Sequence, residues 1–583
     1  MAPLAVDLRN QLEKAVVAAR QIGEAAAQAV LVALGVAQEV ANPSISPADR
    51  ELRVLLRARA RQLGGGQMAA GLPLLCEEIA YNHWHRLFFA RFLAENGLLM
   101  HPNGAPVTLD ECAELARAEL ARAEGRIDGW DLAARYAAGM LPGIFGTEDP
   151  AGRVRLAPES RQALQSLVQG LPTAVFTSDD GLGWVYQFWQ SEKKQEVNAS
   201  ERKIGGADIA PVTQLFTEDY MVRFLLENTL GAWWAARHPR SPLLKDWEYL
   251  RFLDDGTPAA RRPAAGTFPG WPEHVREVTM LDPCGGSGHF VVAAFEMLWR
   301  MRAEEEGLTP AEAGERVLQE NVFCLEIDPR CTQIAAFALL LAAWKAGGYR
   351  PLTMPNVACS GIAVEGQLSD WLKLANGDLK QRTTLERLYN LFRQAPTLGS
   401  LIDPTHVPLS ERMFSAEYDE VLPVLERALK SEKGNDPVAR LTGQAAQGVA
   451  RAARLLARRY TLVATNVPYL GLGRQQDDLR TYSEQRYPLG KADLATVFLE
   501  RCRDYSVDGG TYALVLPQGW TFLGSYQRLR EMMLNRQTWN QLCQLGPRAF
   551  EMVSGEVVNV VLALFTNAVP AAGHQLTGVE ADE

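Results

Sequence analysis

Residues 278–297 run Val278-Thr279-Met280-Leu281, then Asp282-Pro283-Cys284-Gly285-Gly286-Ser287-Gly288-His289-Phe290, then Val291-Val292-Ala293-Ala294-Phe295-Glu296-Met297. A short apolar, β-branched run, three glycines within four residues and a second apolar run predict a buried strand, a tight turn and a helix N-terminus. In doubly wound α/β sheets this unit cradles a nucleotide-like ligand at the carboxyl end of the strand. Glycine accepts positive φ and brings bare backbone against a ligand, and the free N–H groups of the helix's first turn favour an anion. Asp282, at the strand end, is placed to take an amine or a hydroxyl and is a poor neighbour for phosphate. The pattern therefore suits a zwitterionic ligand better than a dinucleotide. Taken alone, it also suits a purely structural turn.

Two further strand ends extend the pattern. Val322-Phe323-Cys324-Leu325-Glu326-Ile327-Asp328-Pro329 is an apolar strand that closes in acids, and an acid at the tip of a second strand commonly takes ribose hydroxyls. Forty-four residues separate Asp282 from Glu326, against about 20 in a simple dinucleotide unit. Helical runs near 290–306 and 310–320 fill the difference. Tyr460-Thr461-Leu462-Val463-Ala464-Thr465 is a third strand-like run, ending in Asn466-Val467-Pro468-Tyr469.

A Gly-rich loop, an acidic strand end and an Asn-Pro-Pro-Tyr-like tetrapeptide, in that order, resemble the amino-methylating DNA methyltransferases. More closely, the chain is similar to the large Eco57I-like and BREX-type (PglX-like) phage-defence adenine methylases. The likeness covers about residues 181–567. Its other landmarks are Gly183-Trp184-Val185-Tyr186-Gln187-Phe188-Trp189, Glu192-Lys193-Lys194, Gln214-Leu215-Phe216-Thr217 and Phe550-Glu551-Met552-Val553-Ser554-Gly555-Glu556-Val557-Val558-Asn559.

The resemblance implies an α/β fold, a Rossmann-like S-adenosylmethionine-dependent methyltransferase sheet with a helical N-terminal domain and a helical insertion. It implies S-adenosyl-L-methionine as cofactor, DNA as partner, and methyl transfer to the N6 amine of adenine. Phe216 and Thr217 match a segment that closes over the cofactor's methionine end, with Glu218 replacing the family's Pro; the plainer reading makes Thr217 the N-cap of a helix over 221–230. Asp282 is assigned the methionine amino group, Pro283, Gly285, Gly286 and Gly288 the loop against the ligand, and Glu326 the ribose. Ile327 and Asp328 are assigned the adenine, with capping of the next helix as the alternative for Asp328. Relatives carry Asp or Asn at the end of the third strand, where this chain has Cys359-Ser360. Cys359 reads as a small buried residue.

For the chemistry, an exocyclic amine conjugated to its ring is a poor nucleophile. Two acceptors aimed at its hydrogens pull the nitrogen toward tetrahedral geometry and stabilise the developing positive charge. The Asn466 side-chain oxygen and the Val467 carbonyl are candidates for that pair, Pro468 stiffens the turn, and Tyr469 is placed to stack on the base. A duplex base must be flipped out to react. Phe550 is the candidate for the second stacking face, with core packing as its alternative.

At 583 residues the chain is long enough for two to four domains. The expected division is a helical domain over 1–205, a cofactor-binding half over 206–365, a helical insertion over 366–455, a catalytic half over 456–567 and a disordered tail over 568–583. Eight scattered cysteines without Cys-x-x-Cys argue for a reducing cytoplasm and against structural zinc. No run of 18 apolar residues stands out, so no spanning helix is expected. His83 and His85, two apart on a predicted helix, point to different faces and do not pair as ligands. Arg86 and Arg91 read as a solvated face or as phosphate contacts, and so do Arg440, Arg451, Arg454, Arg458 and Arg459. Trp184, Tyr186, Phe188 and Trp189 read as packed. Ser200–Ala210 reads as a flexible link, and 471–491 as a mobile loop that orders on substrate.

The net charge of −10 is awkward for a DNA protein, whose affinity rests on Lys and Arg. Either a basic surface is local or another chain supplies it. The chain stops soon after its last core strand, which reads as a truncated or split methylase partnered by a separate target-recognition subunit or by other defence-system proteins, with no membrane and no metal. Alternatives are cytosine N4 as acceptor, a glutamine-protein or RNA methyltransferase, and a cofactor-binding scaffold without turnover.

Overall fold

Alanine- and leucine-rich segments with helical periodicity fill the first third of the chain, and helices are what they form. The computed structural model describes all residues except 1–3, 121–126, 146–148, 179, 254–260, 365–366, 374, 376, 407–422, 424–447, 547–548, 551–558 and 582–583. The described residues divide into two compact units, up to Gln190 and from Ser191 onward.

In the first unit the principal helices are Val6–Ala33, Pro47–Leu63, Met68–Glu95, Leu109–Leu120, Gly129–Met140 and Pro158–Gly170. The break read at Asn42–Pro47 is the start of the second: the Ser46 side chain accepts from Asp49 N, with Pro47 in the first turn. Trp84, Trp184, Tyr186, Phe188 and Trp189 are buried, as their packed reading requires. Arg86 and Arg91 do not form the solvated face expected of them; both are taken up by internal partners. The Arg86 guanidinium donates to Gly152 O at 2.7 Å and Phe145 O at 2.8 Å. Arg91 binds Glu95 and Val168 O and lies 4.3 Å from the Phe176 ring centroid. His83 and His85 bond to the Val154 and Tyr81 carbonyls. Burial lowers them to about 4 and about 3, so they are neutral core side chains.

By length and composition Val6–Ala33 is apolar enough to cross a membrane, with mean hydropathy 1.2, contrary to the sequence reading. It buries one face, including Leu12, Val16, Ala19, Gly23, Ala27 and Leu31, and leaves the other exposed. A Cβ on its Gly23 would stand 2.9 Å from Ala80 Cβ, and its buried Arg20 donates to Trp189 O at 2.6 Å.

The second unit is built on an eight-stranded sheet: β1 (Met280–Asp282), β2 (Val322–Glu326), β3 (Asn356–Cys359), β4 (Tyr460–Asn466), β5 (Ser506–Pro517), β6 (Thr538–Gln544), β7 (Val560–Thr566) and β8 (Thr577–Glu580). Their spatial order is β3-β2-β1-β4-β5-β7-β6-β8, and only β7 runs against its neighbours. The chain steps outward from β1 to β3, then returns to the other side of β1 with β4. The carboxyl ends of β1 and β4 therefore border the topological switch point, where doubly wound sheets bind ligands. This is the α/β, Rossmann-like class the motifs predicted. Residues 280–282 and 322–326 are buried throughout, as parallel strands covered on both faces must be.

Two strands escaped the sequence reading. β6, Thr538-Trp539-Asn540-Gln541-Leu542-Cys543-Gln544, looks too polar for a central strand, but the Asn540 amide is used at both ends: Thr566 Oγ1 donates to Asn540 Oδ1 at 2.8 Å, and Asn540 Nδ2 donates to Ala265 O at 2.9 Å. The tail read as disordered forms β8, an edge strand parallel to β6, with Thr577 Oγ1 bonded to Ala264 O at 2.8 Å. The expected strand from Val557 begins at Val560, residues 557–558 lying outside the described ones.

Nor is 200–210 a free link. Ile204 and Ile209 are buried, and Ile204 exchanges backbone hydrogen bonds with Arg474 O and Gln476 N at 2.7 and 2.9 Å. Those bonds also tie down the segment after Tyr469, read from the sequence as a mobile loop, which contains the helix Asp477–Arg486. In the basic stretch before β4, Arg451 binds Pro355 O and Arg458 lies 4.2 Å from the Phe323 ring centroid; Arg440 lies outside the described residues.

The segment Leu398–Ile402 is a clamp on the tip of β2. A Cβ at Gly399, where φ is +49°, would meet Ile327 Cδ1 at 3.0 Å. Buried Arg501, on the helix Leu494–Tyr505, donates to Ser400 O at 3.2 Å, Ile402 O at 2.6 Å and Leu456 O at 3.1 Å. Arg501→Met keeps a similar volume and removes a donor from three carbonyls, of which Ser400 O retains the Tyr505 hydroxyl at 2.6 Å. Loss of about 3 kcal/mol is expected in urea unfolding, since a broken buried charged network costs that order; an unchanged midpoint would show that the clamp does not hold this edge.

Candidate active site

The site begins where β1 stops. Gly286 and Gly288 have φ of +51° and +95°, in the left-handed region that glycine occupies without strain. Gly285 meets a different demand: a Cβ there would lie 2.1 Å from Cys324 Sγ on β2. A Cβ on Gly286 would point into open space, so this stretch of backbone is bare on its outer side. Gly288 precedes the helix His289–Glu306 without a side-chain cap, leaving its first-turn N–H groups available.

Two buried acids stand behind this loop. Asp282 Oδ1 accepts from Cys284 N at 3.0 Å. Glu326 accepts from Gly286 N at 2.8 Å through Oε2 and from Asp328 N at 2.9 Å through Oε1. Glu326 thereby pins the glycine turn to the end of β2. Burial pushes Asp282 up to about 7; the Thr465 hydroxyl and Cys284 N–H oppose this, and nearby Glu326 adds to it. Burial likewise raises Glu326 to about 7, against the N–H groups of Asp328 and Gly286. Two carboxyls of this kind suit a cation or a set of hydroxyls.

Asp328 is placed otherwise than the adenine assignment has it. Its carboxylate accepts from Arg330 N at 2.8 Å, capping the helix Pro329–Gly347, and binds the Arg330 guanidinium at 3.0 and 2.7 Å. An Asp just before Pro at the first helical position is a strong capping signal. Ile327 packs partly buried against the core and under Gly399. At the end of β3, Cys359 is buried, its thiol pushed up to about 12, and Ser360 Oγ lies 3.1 Å from Ser400 Oγ. The Ser360 hydroxyl is thereby turned to the clamp segment.

β4 brings in the tetrapeptide. Met280 pairs with Leu462 and Leu281 with Val463, so Asp282 and Asn466 end adjacent strands at the same edge of the sheet. Asn466 Nδ2 donates to Thr217 Oγ1 at 3.1 Å, and Tyr469 OH donates to Asn466 Oδ1 at 3.2 Å. Val467 is buried, and Pro468 and Tyr469 are half-buried. The upstream segment is present too: Phe216 meets His289 edge-on, ring centroids 4.6 Å apart. Thr217 does not cap a helix, since the next one, Asp219–Leu226, starts after Glu218 with no side-chain cap. Phe550 is buried and its followers 551–558 lie outside the described residues; Tyr220 OH donates to the preceding Ala549 O at 2.9 Å.

The structure thus links Asp282, the glycine turn and Glu326 at the ends of β1 and β2, and ties Thr217 to the 466–469 tetrapeptide at the end of the adjacent β4, with Phe216 on the helix that follows the glycine turn. The Thr217–Asn466 bond, between residues 249 apart, was not anticipated; no local pattern signals it. No cluster of three or more metal-binding side chains occurs among the described residues.

Comparison with known proteins agrees with the motifs. Residues 320–550 match the model of the Eco57I restriction-modification methylase family. The chain is 27% identical over 576 residues to the adenine-specific methyltransferase BrxX of Escherichia coli O9:H4 (strain HS), covering 90% of this chain and 46% of that protein. It is also 27% identical over 561 residues to the adenine-specific methyltransferase PglX of Lacticaseibacillus casei (strain Zhang), covering 87% and 45%. The chain therefore spans less than half the length of these relatives. Among solved structures it is similar to the Type IIL restriction-modification enzyme MmeI in complex with DNA, at 13% identity and a TM-score of 0.42, over 97% of this chain and 58% of that one.

The two raised carboxyls predict a pH dependence. A folded-state value near 7 against about 4 unfolded gives stability that is full below pH ~4 and is lost as pH rises through 7. Unfolding free energy should fall between about pH 4.5 and 7.5, and the double variant Asp282→Asn, Glu326→Gln should flatten that slope. Denaturant titrations across the range check it; the same slope in both proteins would mean that the carboxyls are already ionised at pH 5.

Proposed function

We propose that this chain is the catalytic module of an adenine-specific DNA methyltransferase. It transfers a methyl group from S-adenosyl-L-methionine to the N6 amine of an adenine flipped out of DNA, in a restriction-modification or phage-defence system. A separate region or polypeptide supplies the sequence specificity. One observation carries the proposal: Asn466 and Asp282 end neighbouring parallel strands at the switch point of the sheet.

The residues present suit the cofactor. Asp282 is a buried acceptor for its ammonium group. Glu326 spends one lone pair of each oxygen on backbone N–H groups and keeps capacity for ribose hydroxyls. The bare backbone at Gly286 and the half-buried Phe216 offer a close surface. Asp328 contributes through the helix it caps. When bound, the cofactor supplies a methyl group on a sulfonium, a good leaving group.

The chain's own residues then have positional work. The Asn466 carboxamide oxygen and the Val467 carbonyl accept the hydrogens of the target amine, and Pro468 holds the two acceptors in one turn. Tyr469 stacks on the flipped base, with Phe550 as the second face. With eight free thiols, the protein suits a reducing, cytoplasmic setting. At a net charge of −10, it needs a local basic surface or a partner to engage DNA.

Tritium-labelled cofactor offered with genomic DNA, total RNA and protein in parallel tests this. Label on DNA adenine is expected, lost more than 100-fold in Asn466→Ala while cofactor affinity stays within about threefold, the scale set by deleting a transition-state hydrogen-bonding group. Label confined to protein or RNA would overturn the DNA assignment. Cofactor affinity should also rise from pH 6 to 8 as Asp282 ionises.

A further inference from the structure

Thr217 precedes an acidic helix start, where a threonine ordinarily serves as a cap. Here it does not. The helix Asp219–Leu226 has Glu218 at its N-cap position, and the Thr217 hydroxyl instead accepts from Asn466 Nδ2 at 3.1 Å. The residue is buried, at 7% exposure. On the opposite side of the same carboxamide, Tyr469 OH donates to Oδ1 at 3.2 Å. The carboxamide is thus held at both ends, from a segment 249 residues upstream and from its own turn.

From this arrangement we infer that Thr217 is a positioning residue: it anchors the nitrogen end of the Asn466 carboxamide so that the oxygen end faces the acceptor amine, and the Tyr469 hydroxyl keeps that oxygen's place until the amine displaces it. The inference rests on the methyl-transfer reading above and adds a residue to it. A carboxamide has a donor end and an acceptor end that differ little in shape. Turned the wrong way, its NH2 would confront the hydrogens of the target amine, donor against donor, and the nucleophile would gain nothing. Both flanking hydroxyls donate or accept, so neither alone sets the direction. The asymmetry arises when the amine arrives. Tyr469 gives up its bond to Oδ1, the amine hydrogens require an acceptor, and the carboxamide nitrogen must then find its own acceptor on the other side. Thr217 Oγ1 is the group on that side. Valine at 217 keeps the shape and removes the lone pairs, leaving a buried N–H2 without a partner. Serine keeps the lone pairs.

The same link explains why this threonine belongs to the site rather than to the helix that follows it. Phe216, its neighbour, packs on His289 at the start of the helix behind the glycine turn. One short segment therefore touches the first turn of the cofactor-side helix through Phe216 and the base-side acceptor through Thr217.

The test compares wild type, Thr217→Val and Thr217→Ser for cofactor affinity by calorimetry and for single-turnover transfer from tritiated cofactor to genomic DNA, RNA and protein. Thr217→Val should bind cofactor within about twofold of wild type, melt a few degrees lower but remain folded at the assay temperature, as an unpartnered buried donor requires, and transfer methyl about 10- to 100-fold more slowly, the cost of a misplaced reacting group. Thr217→Ser should recover most of the rate. If Thr217→Val fails to fold, Thr217→Ala replaces it in the same comparison. Wild-type transfer by Thr217→Val overturns the inference and leaves the methyl-transfer reading intact. Equal loss of cofactor binding in Val and Ser variants overturns it in favour of a cofactor contact. Absence of label on every acceptor with wild type brings down both.

Discussion

The pairing of β1 with β4 is the contact on which the site depends. The two strands are separated in the chain by more than 170 residues, yet they lie side by side in parallel. At the base of the pair two threonines exchange bonds: Thr461 N donates to Thr279 Oγ1 and Thr279 N to Thr461 Oγ1, each at 3.2 Å. This reciprocal lock sets the register at the end of the strands away from the site. A slip of one residue would turn every side chain to the other face and would carry Asn466 away from Thr217. The carboxyl ends then deliver Asp282 and Asn466 to the same edge, where the nearby Thr465 hydroxyl favours the ionised Asp282 carboxyl.

Behind the edge the structure holds two desolvated carboxyls, which is costly by itself. The cost is partly offset by backbone N–H groups from Cys284, Gly286 and Asp328, so each acid doubles as a brace for the turn it serves. Glu326 illustrates the economy: its two oxygens bind the glycine turn after β1 and the chain leaving β2, and a shift in either would disturb the other. Gly285 belongs to the same brace, because only a hydrogen fits against Cys324.

What was legible in the sequence follows from this architecture. The glycine turn, the acidic end of β2 and the tetrapeptide after β4 each answer a local backbone demand, and local demands leave local patterns. The buried aromatic run from Trp184 to Trp189 was legible for the same reason. β6 was not, because Asn540 looks like a surface residue until Ala265 and Thr566 are brought to it by the fold. Ser200–Ala210 misled in the same way: two isoleucines in a polar run carry little periodic signal, yet both are buried against distant chain. Asp328 was ambiguous because capping and ligand binding call for the same carboxylate; the structure shows the capping bond, reinforced by the arginine two residues on.

The site itself was half legible. Residue types could nominate Asn466 and Thr217 separately, each from its own short motif, but nothing local says that one orients the other. That relation is a property of the sheet. It places the Phe216–Thr217 segment within reach of a side chain at the end of β4, and a bond of 3.1 Å joins them. Precision of this sort is better held by strand ends than by loops. The strongest constraints of the site accordingly lie at the ends of β1, β2 and β4, with the upstream segment docked onto them. A site built this way holds the Asn466 carboxamide in a rigid frame of strand ends rather than on a free loop.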